Sequence, residues 1–118
     1  LDEMEAMLPG LTQLGAPYVV LKGGHLRGAT CPDLLATPNG HEWLPASRID
    51  TDNLHGTGCA LSSAIAACLA KLPEHAAPDA PVAAIGDAKR WLHAALEASV
   101  RLKVGKGRGP VHHFHAWW

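Results

Sequence analysis

Apolar residues recur at helical spacing across residues 2–14. Met4, Met7, Leu8, Leu11 and Leu14 share a side, with Asp2, Glu3 and Glu5 in the first turn, where the helix dipole favours acids. This pattern predicts a helix, with Gly15 as a fair C-cap. Pro9-Gly10 is expected to kink or split it, because proline lacks the N–H that the ladder needs. Residues 18–21 (Tyr-Val-Val-Leu) form a short apolar run, read as a buried interior strand that ends in the turn Lys22-Gly23-Gly24-His25. Residues 33–37 and 42–49 read as two strands of a hairpin around Pro38-Asn39-Gly40. Pro45 assigns the second of these to a sheet edge, or bends it.

After a polar stretch at 48–55, a helix is expected over residues 57–72. Leu61, Ile65, Leu69 and Leu72 lie on one face, and the Ala and Ser content suits close packing. A prolyl loop follows. Asp79 or Ala80 then caps a helix opened by Pro81, with Ile85, Ala88, Leu92, Leu96 and Val100 on its buried side. A glycine loop at 105–110 leads into the closing His112-His113-Phe114-His115-Ala116-Trp117-Trp118. The expected fold class is α/β. One apolar strand and a hairpin are a thin sheet for these helices, so the chain is expected to hold part of a larger layer and to expose an apolar patch. The first residue is Leu1 rather than Met, which trimming or an absent upstream part would equally explain.

Composition narrows the function classes. The chain has 118 residues, 47% of them apolar, and a net charge of −1 with histidine neutral. That balance gives no electrostatic case for nucleic acid or an anionic membrane. The apolar stretch at 60–72 is too short and too polar to span a bilayer. Three scattered cysteines without CxxC spacing argue against a disulfide framework and for a reducing cytoplasm. No signal peptide is read at the start.

The most informative segment is His55-Gly56-Thr57-Gly58-Cys59 at the start of a helix. Glycines there let backbone N–H groups converge, and the helix N-terminus adds partial positive charge, so the segment suits an anion such as a phosphoryl group. Taken alone, such a segment is more often a plain loop-to-helix turn that needs flexible residues. Cys59 sits in the first turn, where a thiolate is favoured, and could act as a base; a small packing residue is the ordinary alternative. Cys68, among alanines and leucines, reads as packing, and Cys31 has no motif. Lys22 follows a strand, where ligand crevices of parallel sheets open, or is a solvated strand-end lysine. The segment at 105–110 is either a nucleotide-contacting loop or a helix exit. The terminal histidines lack acidic or thiolate partners nearby, and no metal site is assigned to them. Asp50 and Asp52 read as solvated loop residues.

Four segments in order and register carry a resemblance. They are Val20-Leu21-Lys22-Gly23-Gly24-His25-Leu26, then Asp33-Leu34-Leu35, then His55 through Ala66 with its Gly-Thr-Gly-Cys, then Gly107-Arg108-Gly109-Pro110-Val111-His112. Together they resemble the hydroxymethylpyrimidine/phosphomethylpyrimidine kinases of thiamine biosynthesis, over nearly the whole chain. The resemblance implies a ribokinase-like fold, a mainly parallel sheet flanked by helices, and places this chain in the C-terminal half of one kinase domain. It implies ATP and Mg2+ as cofactors, with the magnesium ligands and pyrimidine pocket in an N-terminal half absent here. It also implies a cytoplasmic enzyme that is a homo-oligomer in full. By the same resemblance Gly56, Thr57 and Gly58 form the anion hole. Cys59 takes the place where most of the superfamily has a catalytic Asp, and Lys22 belongs to the active site. Gly23, Gly24 and His55, with Gly107, Gly109 and Pro110, lie toward the nucleotide. Other readings are a pyridoxal or pyridoxine kinase of the same branch, and a noncatalytic phosphate-binding remnant.

Overall fold

The computed structural model describes residues 1–24 and 29–117. His25 and Leu26 of the first motif, and Trp118 at the end, lie outside the described residues. The chain divides into two compact units, Leu1–Arg48 and Ile49–Trp118.

The first unit is a helix packed on a small sheet. Helix α1 (Asp2–Thr12) is followed by β1 (Val19–Leu21), β2 (Asp33–Thr37) and β3 (Gly40–Leu44), in sheet order β1-β2-β3. Both pairings are antiparallel. Met4 and Leu8 of α1 bury against Leu34 and Ala36, with Val19, Leu21 and Trp43 packed around them. Trp43 Nε1 donates to Glu5 Oε1 at 3.0 Å and fastens β3 to the helix. Helix α1 runs through Pro9 as one element, so of the kink or split expected there, the split does not occur. Pro9 is exposed, so the carbonyl it leaves without a ladder partner faces water, and Met4 and Leu8 anchor the preceding turns.

The hairpin forms as the turn chemistry requires. Thr37 pairs with Gly40, and Gly40 takes a φ of 140°, which disfavours any side chain. Strand β3 ends at Leu44, before Pro45, whose missing N–H cannot extend the ladder. The interior strand is β2, not β1. Leu34 and Leu35 are wholly buried, whereas Val19, Val20 and Leu21 are half-buried at one edge of this sheet. Among the described residues, pairing gives β1 one neighbour and β2 two, and so decides which strand of this sheet is central.

The second unit is a helical pair with a returning segment. Helix α2 (Thr57–Ala70) packs on α3 (Ala80–Ala98), which ends in a 3-10 turn, Ser99–Arg101. The core is Ala60 and Leu61 of α2, Ala88, Leu92 and Ala95 of α3, and Val111. Alanines at the contact bring the two backbones close. Leu96 packs on this core as expected, but Val100 is 63% exposed, because the 3-10 turn rotates it off the α-helical face. Leu69 is likewise exposed, near the end of α2. The segment after the glycine loop returns along α3, with His112 N–H donating to Ala95 O at 3.0 Å. Among the described residues, the parallel strand contact is a single bridge, His55 to Pro110.

Candidate anion-binding site

The loop that opens α2 is shaped by Gly56, which caps the helix in the left-handed region at φ 79°, ψ 10°. Any residue with a Cβ is strained there. Thr57 then closes the turn. Its N–H donates to Leu54 O at 3.3 Å, and its hydroxyl donates to the same carbonyl. Ala60 N–H donates to Gly56 O at 2.8 Å and starts the helical ladder. Between these, the N–H groups of Gly58 and Cys59 have no protein acceptor among the described residues. No acidic side chain occupies the first turn. Two free amides at the positive end of a helix are what an anion needs.

Thr57 was expected to offer its N–H to the anion with Gly56 and Gly58, yet that N–H is turned back on Leu54. The donors left are Gly56, Gly58 and Cys59. Cys59 therefore has two assets, a free amide and an exposed thiol. Cys68 is half-buried against the α2–α3 core, in line with a packing role.

A groove of about 580 Å³ runs from this loop along α2. Gly56, Cys59, Ser63 and Lys71 line its α2 side, with Trp91 and His113 opposite. The indole of Trp91 packs obliquely on both His113 and His115, each at 6.1 Å between ring centroids.

The segment at 107–110 comes to the same place. His55 N–H donates to Gly109 O at 3.1 Å, which joins two motifs far apart in sequence. Gly109 is buried, and a Cβ there would collide with the carboxamide of Asn53. Gly107, by contrast, is exposed with open space around it. Asn53 and its partners Thr51 and Ser99 were not singled out by sequence reasoning. The available signal was Ser99, a polar residue continuing the Leu92, Ala95, Leu96 face of α3.

Lys22 belongs to the first unit. It is exposed just past β1, on a turn held from two directions. Gly23 N–H donates to the buried Asp33 carboxylate at 2.9 Å, and Arg48 Nη1 donates to Gly24 O at 3.1 Å. Asp33, in the second of the aligned motifs, thus shapes the Lys-Gly-Gly turn. Among the described residues no three His, Cys, Asp or Glu side chains gather as a metal site, and no helix is long and apolar enough to cross a membrane.

The family model of phosphomethylpyrimidine kinase matches residues 1–112. The chain is 49% identical to the hydroxymethylpyrimidine/phosphomethylpyrimidine kinase of Rhizobium meliloti, over 98% of this chain and 41% of that protein. It is 48% identical to the enzyme of that name from Salmonella typhimurium, over 99% of this chain and 42% of that protein. Its fold matches the pyridoxal kinase of Bacillus subtilis, solved as an ADP complex, with a TM-score of 0.84 and 33% identity over 98% of this chain and 41% of that one. The fold is thus ribokinase-like, and the chain spans about two-fifths of the length of the relatives it matches. With the family model matched over residues 1–112, nearly half of the positions identical to these kinases, and a glycine-cysteine helix start tied to a Gly-Pro segment on this fold, the chain belongs to the phosphomethylpyrimidine kinase family.

Proposed function

We propose that the protein carrying this chain phosphorylates hydroxymethylpyrimidine and then its monophosphate, with ATP, in thiamine biosynthesis, and that the chain is the C-terminal part of its kinase domain. The observation that carries this reading is the pair of free amides at Gly58 and Cys59 beside an exposed thiol, in a chain nearly half identical to enzymes of that name.

In the first transfer, the hydroxymethyl oxygen forms a bond to the γ-phosphorus, the bond to the β,γ-bridging oxygen breaks, and ADP leaves. Cys59 Sγ takes the hydroxyl proton. The amides of Gly58 and Cys59 donate to the equatorial oxygens as charge builds there, from positions fixed before the reaction. In the second transfer the acceptor is a phosphate oxygen, so Cys59 orients rather than deprotonates. Lys22 offsets phosphate charge, and Gly23 and Gly24 let the backbone approach. Most of the rate then comes from placement and charge, as phosphoryl transfer requires. Magnesium accompanies ATP in such chemistry, but the described residues assemble no carboxylate shell for it, so none of these steps is assigned to it.

A second reading has its own observation, the fold match to a pyridoxal kinase. A steady-state kinase assay of the protein carrying this chain, with hydroxymethylpyrimidine and pyridoxal compared at equal concentration, separates them. The proposal expects kcat/KM for hydroxymethylpyrimidine to be the higher by at least an order of magnitude. A preference for pyridoxal overturns the substrate, and turnover of neither overturns the kinase reading.

A further inference from the structure

Asn53 stands where three backbone segments of the second unit meet. Its Nδ2 donates to Ser99 O, at the end of α3, at 2.7 Å. Its Oδ1 and Cγ fill the space that a side chain on Gly109 would need. Its own N–H donates to Thr51 Oγ1 at 3.1 Å. Ser99 Oγ donates its one proton to Leu96 O at 2.6 Å. The 2.9 Å contact between Thr51 and Ser99 hydroxyls must therefore use Thr51 as donor. The result is a directed chain from Asn53 N–H through Thr51 and Ser99 to Leu96, with Ser99 fully buried. Two residues after Asn53, His55 N–H is bonded to Gly109 O. The loop with the free amides begins immediately afterwards.

We propose that Asn53 is a positioning residue, whose carboxamide, wedged between Ser99 O and Gly109, fixes the Gly107-Arg108-Gly109-Pro110 segment against the anion loop and so orients the amides of Gly58 and Cys59. The proposal deepens the kinase reading and rests on residues 56–59 binding an anion. It differs from simple stabilisation in a specific way. The hydroxyl of Ser99 supports the same region, but only the carboxamide touches both Ser99 O and Gly109. Loss of the hydroxyl lowers stability and leaves the wedge in place.

The test uses the protein carrying this chain, with amide resonances as reporters. Asn53→Asp keeps the shape, removes the Nδ2 donor and sets an oxygen against Ser99 O. Gly109→Ala attacks the same contact from the other side. Ser99→Ala removes the hydroxyl relay alone. Three quantities are measured for each: Tm, hydrogen-exchange protection of His55 N–H relative to α3 core amides, and inorganic phosphate affinity from the Gly58 and Cys59 amide shifts. Asn53→Asp and Gly109→Ala are each expected to lower relative His55 protection and phosphate affinity by about tenfold, the scale of one lost hydrogen bond. Ser99→Ala is expected to lower Tm while changing both loop quantities by less than about twofold, a distinction that local and global opening make measurable. Equal loop effects from Ser99→Ala, or unchanged His55 protection in Asn53→Asp, overturn the proposal. If the wild-type amides do not respond to phosphate, the anion-loop reading fails, and the His55 exchange still decides whether Asn53 holds the loop.

Discussion

The backbone N–H of His55 donates to the carbonyl of Gly109 at 3.1 Å. This bond joins the loop that opens α2 to the Gly-Pro segment and brings together two motifs that the sequence separates by both helices of the second unit. Asn53, two residues before His55, fills the space beside Gly109, so the approach tolerates only glycine. The consequences are testable at several positions.

Cys59 and Cys68 separate chemistry from packing. In the protein carrying this chain, Cys59→Ala is expected to lower kcat by about a hundredfold to ten-thousandfold, the usual worth of a general base, with nucleotide affinity nearly unchanged. Cys68→Ala is expected to cost about 1 kcal/mol of stability as a packing change, with turnover intact. Cys59→Asp should keep partial activity, since a carboxylate can accept the proton. Steady-state kinetics and a separate nucleotide titration of the three variants check this. Near-normal turnover in Cys59→Ala would reduce the thiol to a helix-start residue of convenient size.

Gly56 and Gly58 have opposite expectations for stability. A Cβ at either position meets open space, so backbone conformation decides. Gly56→Ala forces alanine into the left-handed region and is expected to destabilise by about 1 to 2 kcal/mol. Gly58→Ala lies inside α2 and is expected to stabilise by up to about 1 kcal/mol, the difference in helix propensity. It should nevertheless weaken phosphate binding, because the added methyl stands beside the free amides. Thermal melts and phosphate titration of the two variants read this directly. A Gly58→Ala variant with unimpaired phosphate affinity would place the anion elsewhere.

Lys22 and Asp33 make a complementary pair in the first unit. Lys22→Ala removes an exposed cation and is expected to change stability by less than about 0.5 kcal/mol, while lowering kinase activity. Asp33→Ala strips the acceptor from the Gly23 N–H and is expected to cost about 1 to 3 kcal/mol, the penalty for an unsatisfied buried donor. Denaturant melts and kinase assays of both would separate charge from scaffold. Full activity in Lys22→Ala would exclude that lysine from phosphate contact.

Apolar exposure predicts how the chain behaves alone. Met7, Leu14, Val100, Val104 and Trp117 are each more than half exposed, and an apolar groove runs along α2. The isolated chain is expected to self-associate and to bind a hydrophobic dye. Light scattering after size exclusion checks this, and a monodisperse monomer with cooperative melting would contradict it.

The local structure was largely legible because its causes are local. Proline and glycine chemistry at 38–40 specified the hairpin, Pro81 opened α3, and the spacing of Ile85, Ala88 and Leu92 set its buried face. The register of four motifs pointed to the family. Two local expectations, the split alternative at Pro9 and the buried side at Val100, were not met for physical reasons of scale. Pro9 did not split α1, because buried Met4 and Leu8 outweigh one lost hydrogen bond on a solvent-facing turn. Val100 left the buried face when the helix tightened at Ser99.

By itself the sequence determined that a glycine-rich turn with a cysteine opens a helix, that a lysine follows a strand, and that a Gly-Pro segment comes late, since backbone freedom and side-chain chemistry belong to single residues. Only the tertiary structure decided that β2 is the central strand and that Thr57 spends its N–H on Leu54. The tertiary structure alone put Asn53 between Ser99 and Gly109. Those outcomes depend on which distant groups meet, and a hydrogen bond between segments is a property of the pair rather than of either residue.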